Sequence, residues 1–206
     1  MSAVDYETLT RRMKDLQTFL NKFLDIERMV YLPDTARKDR LETDTEHPYH
    51  LAMHAWFLCQ SFPELNQEKV LKYALAHDLV EIYAGDVMAI GRTDAEQKQK
   101  EDDEAAALRR IKKEWPDFVE LTDYIENYEK QSDPESVFVK ALDKLMPTIQ
   151  QVISKGKSWK MRDMKLSHAL DNKASKTAAS HEIHAIWQEL KAEITAHPEW
   201  FNKGRA

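Results

Sequence analysis

The chain has 206 residues, a single cysteine and a formal net charge of −6. That length suits one domain able to bury roughly 70% of its unfolded surface without covalent staples, and the lone Cys59 excludes an internal disulfide or a cysteine-built zinc site. No run approaches the ~18 apolar residues of a membrane span, and the acidic start lacks the basic and apolar regions of a signal peptide. The negative charge speaks against binding a nucleic-acid backbone. The expectation is a cytoplasmic protein with neither membrane nor nucleic acid as partner.

Low glycine, scattered proline and few β-branched runs indicate an all-α protein. A first helix is predicted over about 6–31, where Leu9, Met13, Leu16, Phe19, Leu20, Phe23 and Leu24 recur at helical spacing. A polar loop at 33–40 follows. The next helix is predicted from His47 to about Phe62, with Pro48 suited to its first turn. Asn66 is placed to cap a third helix that carries His77-Asp78 and runs to about Tyr83.

Thr93-Asp94 opens a long charged helix to about Trp115, and Pro116 opens another that ends near Lys130. Ser132-Asp133-Pro134-Glu135 is a start signal for a helix whose apolar part spans Phe138 to Val152. After Gly156 comes a basic, aromatic connector at 157–162, and a last helix is predicted over about 175–196. There is no internal repeat and no low-complexity linker.

The four glycines, Gly85, Gly91, Gly156 and Gly204, cannot make a dinucleotide-binding G-x-G-x-x-G, a Walker A loop or a G-x-S-x-G elbow. If the protein handles phosphate, a metal and side-chain cations must hold it. His77-Asp78 lies in the run Val70-Leu71-Lys72-Tyr73-Ala74-Leu75-Ala76-His77-Asp78-Leu79-Val80, apolar nearly all round, with Glu81 three residues after Asp78. A buried carboxylate is costly unless paired or bound to a cation. The doublet is therefore either a hydrogen-bonded core pair or part of a metal site.

Asp143 shares a face with Val139 and Met146, so it is either a third buried carboxylate or one that snorkels to solvent. Pro147 cannot donate to the Asp143 carbonyl, which predicts a kink or a helix break there. His47, His50 and His54 fall within about 60° of one another on a helical wheel. His47, which begins its helix, is the ligand candidate; His50 is set behind the ligands or toward the substrate.

The order His47, His77-Asp78, Asp143 reads H…HD…D and resembles the HD-domain metal-dependent phosphohydrolases, in particular the small 5′-deoxynucleotidase group. The matching segments are Glu42-x-x-x-Glu46-His47, His77-Asp78-x-x-Glu81-x-x-x-Gly85-Asp86 and Lys140-Ala141-Leu142-Asp143. They lie within about residues 15–150, leaving 157–206 as a C-terminal helical extension of a single HD domain spanning 1–206.

The resemblance implies an all-α HD-domain helical bundle in which His47, His77, Asp78 and Asp143 hold one divalent ion. Glu81 would orient or deprotonate the attacking water. Asp86 would protonate the leaving oxygen, Arg28 would neutralise the phosphate, and His50 would stand on the substrate side. It implies a nucleotide substrate and a homodimer as well.

A mixed nitrogen–oxygen set with open positions suits manganese, cobalt, iron, nickel or magnesium better than a closed structural zinc. No histidine lies between His77 and His168, which favours one metal over two. Pro48, Met88 and Met29 depart from the group's usual residues, and the loop between Arg28 and Glu42 is longer than usual.

The expected function is a metal-dependent nucleoside 5′-monophosphate phosphomonoesterase. A nucleoside triphosphate or signalling-nucleotide hydrolase and a non-catalytic metal-binding module stand as alternatives. The basic stretch Lys157, Lys160, Arg162 and Lys165 either closes over a phosphate or is a surface connector. His181-Glu182-Ile183-His184 has i, i+3 spacing, so the zinc-protease pattern is absent. Glu101-Asp102-Asp103-Glu104 is expected to be a solvated helix face.

Overall fold

The computed structural model describes residues 4–32, 40–86 and 93–202, apart from the side chains of Met29 and Asn172. Most of the loop predicted at 33–40, Met88 and the Met29 side chain therefore lie outside the described residues.

Asp5 caps helix α1 (Tyr6–Asn21) by accepting from the Thr8 N–H. A 3-10 turn, Lys22–Asp25, buries Phe23, and the chain then becomes extended. The first helix was expected to reach Tyr31; instead β1 (Glu27–Tyr31) pairs antiparallel with β2 (Leu41–Thr43). Met29-Val30-Tyr31 favours a pleated surface once a partner strand is present. This ribbon matters because it carries Arg28.

Helix α2 (Glu46–Cys59) begins where Glu46 and Thr43 exchange hydrogen bonds: the Thr43 N–H donates to Glu46 and the Glu46 N–H to Thr43 Oγ1. Asn66 caps α3 (Gln67–Ala76) as its sequence indicated, accepting from the Lys69 N–H. That helix stops at His77 instead of reaching Tyr83. Residues 77–80 form tight turns, with Leu79 N–H donating to the Ala76 carbonyl and Glu81 N–H to that of Asp78. The short α4 (Glu81–Ala84) follows and ends at Gly85, whose φ is +75°.

Thr93 and Glu96 form a capping box for α5 (Asp94–Glu114). Pro116 does not open a helix; the chain turns through it, and α6 (Val119–Lys130) starts three residues later. Asp133 and Ser136 box the start of α7 (Pro134–Ile153). Of the kink or break predicted beside Asp143, the break does not occur, since α7 runs continuously through Pro147. The Lys173 ammonium donates to the Lys144 carbonyl, next to the one that Pro147 leaves without a donor.

The connector expected at 157–162 holds α8 (Lys157–Met161), with Ser158 and Trp159 buried and Trp159 stacked on Phe201 at 4.7 Å between ring centroids. An unpredicted helix, α9 (Leu166–Thr177), precedes α10 (His181–Ala196). Ser180 caps α10, so the last helix begins later than expected.

Two apolar clusters hold these elements. One packs α2, α3, α6, α7, α9 and α10 around Leu51, Tyr73, Phe138, Leu142 and Trp187. Burying side chains such as Phe138 and Leu142 contributes about 1.5–3 kcal/mol each. The other joins α1 to α5 and α6 through Phe19, Phe23, Leu79, Ile111, Trp115 and Ile125. Among the described residues the fold is all-α apart from the ribbon, and no helix is long and apolar enough to cross a membrane.

Candidate metal centre

The first turn of α2, the turn after α3 and the middle of α7 converge on one buried point. They bring His47, His77, Asp78 and Asp143 together from positions far apart in the chain. His47 Nε2 lies 3.0 Å from Asp143 Oδ1 and 3.9 Å from Asp78 Oδ2. His77 Nε2 lies 2.9 Å from Asp78 Oδ2 and 4.0 Å from Asp143 Oδ1. Donor atoms of His47, His77 and Asp78 all fall within 4.8 Å of one another.

The break in the helix makes this possible. Adjacent residues on a regular helix point about 100° apart, whereas the turn at 77–80 lets neighbours share a target.

The supporting bonds orient these groups. His77 Nδ1 lies 3.0 Å from the Ala74 carbonyl, which sets Nδ1 as the protonated nitrogen and leaves Nε2 with its lone pair facing the cluster. Tyr128 donates to Asp143 Oδ2 at 2.9 Å, and the Lys144 ammonium donates to the same oxygen at 2.6 Å. Glu42 accepts from His50 Nδ1 at 3.0 Å and lies 3.6 Å from His47 Nδ1.

Arg28 reaches in from β1. Its guanidinium is 2.8 Å from Asp78, 3.3 Å from Asp44, 3.7 Å from Glu42 and 4.0 Å from Glu81. Glu81 sits at the start of α4, and Lys100 of α5 approaches it to 3.8 Å.

The electrostatics are those of a cation site. Burial first, then the negative charges of Asp78, Asp44 and Asp86, push the Glu81 carboxyl up to about 11. Burial likewise raises Asp44 to about 6 against the pull of Glu81 and Arg28. Burial also opposes ionisation of Asp78 and Asp143, but His77 and Arg28 for the one, and Lys144 and His47 for the other, hold both below the usual carboxylate range. Burial and Arg28 work against a charged His47, yet Asp143 and Glu42 outweigh them and raise it to about 9.

A divalent ion fits these residues. Buried His77 Nε2 has no hydrogen-bond partner despite its nearness to Asp78, and Asp44 Oδ2 and Glu81 Oε2 are buried and unpartnered too. A buried polar atom left without a partner costs about 1–3 kcal/mol, and a cation among these donors removes that cost. Two imidazole nitrogens with carboxylate oxygens form a donor set that takes divalent metals and leaves positions open.

The centre opens into a cavity of about 1520 Å³. Arg28, Glu81, Asp86, Lys144, Trp159 and Lys173 line it together with most of the ligand cluster. His50 approaches the site through Glu42. The sequence reading missed Tyr128, Lys100 and Lys144. Only Lys144, adjacent to Asp143, had a local signal. Glu104, read as part of a solvated face, is paired with Lys100.

The all-α bundle and its buried imidazole–carboxylate cluster define a metal-dependent phosphohydrolase. The HD domain family model matches residues 32–187. The chain belongs to the HD-domain family of metal-dependent phosphohydrolases.

It is 30% identical over 159 residues to 5′-deoxynucleotidase HDDC2 of Bos taurus, covering 76% of this chain and 74% of the relative. It is also 30% identical over 157 residues to the Homo sapiens protein of the same name, covering 75% and 73%. A predicted metal-dependent phosphohydrolase of known structure from Magnetospirillum magnetotacticum MS-1 superposes with a TM-score of 0.75 at 26% identity, over 95% of this chain and 96% of that one.

Proposed function

We propose that the protein hydrolyses nucleoside 5′-monophosphates to nucleoside and inorganic phosphate, as one domain working in the cytoplasm. The observation that carries this reading is the position of Arg28, a half-buried guanidinium 2.8 Å from Asp78 and open to the cavity. A planar fork of donors is suited to phosphate oxygens, and Asp78 beside it would hold the ion that takes the rest of the phosphate charge. The relatives named 5′-deoxynucleotidase support the substrate class.

His47, His77, Asp78 and Asp143 are the residues to hold one ion, and their nitrogen–oxygen mixture favours manganese, cobalt, iron, nickel or magnesium over structural zinc. When bound, the ion supplies Lewis acidity to the phosphoryl oxygen and acidity to water. Arg28 binds the non-bridging oxygens. With a cation offsetting the burial and the neighbouring carboxylates that otherwise keep it protonated, Glu81 would accept a proton from the attacking water as the new O–P bond forms. Asp86 gives a proton to the 5′ oxygen as the P–O bond breaks.

His50 was set toward the substrate; its bond to Glu42 favours the alternative place behind the ligands, holding Glu42 against His47. The exposed apolar side chains of Tyr49, Met53, Trp56 and Phe57 on α2 support a homodimer.

The test is Glu81→Gln. Bound metal, counted by elemental analysis, should stay at the wild-type level while turnover falls by about 10²–10⁴. A variant with metal and undiminished turnover would refute Glu81 as the base.

A further inference from the structure

The cavity continues along α7 beyond the metal centre. Asp143, Thr148 and Gln151 of α7 line it, and so do Ser158 and Trp159 of α8. At the helical rise per residue, Thr148 stands about 7.5 Å along α7 from Asp143, and Gln151 about 12 Å. Within a nucleotide, that interval separates the 5′ phosphate from the base.

This part of the wall carries polar groups that the fold leaves unpaired. Thr148 and Ser158 are 2% and 3% exposed, and their hydroxyl oxygens are buried without a hydrogen-bond partner. A threonine inside a helix can turn its hydroxyl onto the carbonyl four residues back. At Thr148 that carbonyl belongs to Lys144 and takes the Lys173 ammonium instead.

The two hydroxyls belong to one cluster. Thr148 lies one turn before Gln151 on α7, and Gln151 Oε1 accepts from the Ser158 N–H at 3.1 Å. Around them Trp159, Met164 and Ala169 make the wall apolar. A buried hydroxyl without a partner lowers stability, and a few polar groups converging in an apolar cavity are the pattern of a ligand subsite.

We propose that Thr148 and Ser158 form the base subsite of the nucleotide. They hydrogen-bond the polar edge of the base while its phosphate lies at the metal centre and its ring lies against the apolar wall. A hydroxyl donates or accepts as required, so the pair meets carbonyl and amino groups of a base alike. The inference rests on the nucleotide-phosphohydrolase reading above and deepens it, naming the residues that tell a nucleotide from a bare sugar phosphate.

The test is calorimetric titration of the manganese-loaded protein with two ligands that it cannot hydrolyse, because a P–C bond replaces the bond from phosphorus to the 5′ oxygen. One is a nucleoside 5′-phosphonate, and the other is the same sugar phosphonate without a base. Wild type should bind the nucleoside ligand at least about tenfold more tightly, as two modest hydrogen bonds provide. Thr148→Val, which keeps the side-chain shape, and Ser158→Ala should each shrink that margin by about three- to tenfold.

Without ligand, both variants should melt no lower than wild type, since each loses an unpaired buried oxygen. No margin in wild type, a margin that survives both substitutions, a loss shared equally by the base-free ligand, or a lower melting temperature in both variants overturns the subsite. Absence of phosphate release from the metal-loaded enzyme would instead count against the catalytic reading, so the two failures are distinguishable.

Discussion

Replacing Arg28 by methionine keeps most of the side-chain volume and removes the charge at the centre of four carboxylates. At 2.8 Å from Asp78, and with an effective dielectric of about 20, the gross attraction to that one group is about 6 kcal/mol. Burial of the guanidinium takes back part of this. Breaking a buried pair from one side nevertheless costs about 3–5 kcal/mol, because the remaining charges lose their partner.

Arg28→Met should therefore lower the melting temperature markedly in chelator. Added manganese should restore much of the loss, since an ion at 100 times its Kd contributes about 2.7 kcal/mol and no longer competes with Arg28 for Asp78. Catalysis should not recover. Losing a donor to the phosphate should cost about 10²–10³ in kcat/KM. Melting curves with and without metal, paired with a phosphate-release assay, read both effects. A variant with wild-type kcat/KM, or one as stable as wild type in chelator, would refute the placement of Arg28 between metal ligand and substrate.

Metal binding should release protons, because His47 and Glu81 titrate at about 9 and about 11 in the protein without metal and a ligating imidazole must be neutral. Below pH 9, metal affinity should therefore rise with pH, by about tenfold per unit for each proton lost. Calorimetry in buffers of different ionisation enthalpy counts those protons, and a count of zero at pH 7.5 would contradict the charge state assigned to His47. Gly156→Ala should destabilise the fold by on the order of 3 kcal/mol. Gly156 has φ +73°, and a Cβ there strikes the backbone carbonyl of Trp200. Chemical denaturation measures this, and a loss under 1 kcal/mol would show that the α8 turn can move away from Trp200.

That His77, Asp78 and Asp143 need partners if buried is legible in the sequence, because carboxylates in apolar helical surroundings are costly alone; that they meet His47 is implied by the resemblance to the HD-domain pattern. The caps are legible from local chemistry: Asn66, Thr93 and Asp133 each stand just before a run of helix-forming residues. The ribbon that carries Arg28 is not, because residues 27–31 continue the spacing of α1 and only the partner strand Leu41–Thr43 decides against helix.

The stop at His77 is hidden in the same way, with no glycine or proline to mark it. Its tight turns are favoured by where His77 and Asp78 must point. Helix α9 was missed because Leu166, Ala169 and Leu170 make a short, weak apolar stripe, and with it went Lys173. The cavity's outer wall is visible only in the folded chain.

The most direct test of the central claim is phosphate release from a panel of ribo- and deoxynucleoside 5′-monophosphates. The protein is stripped with chelator and reloaded with manganese, cobalt or magnesium. The account predicts no turnover in the stripped protein and turnover restored by metal. Silence across the whole panel with metal demonstrably bound would contradict it.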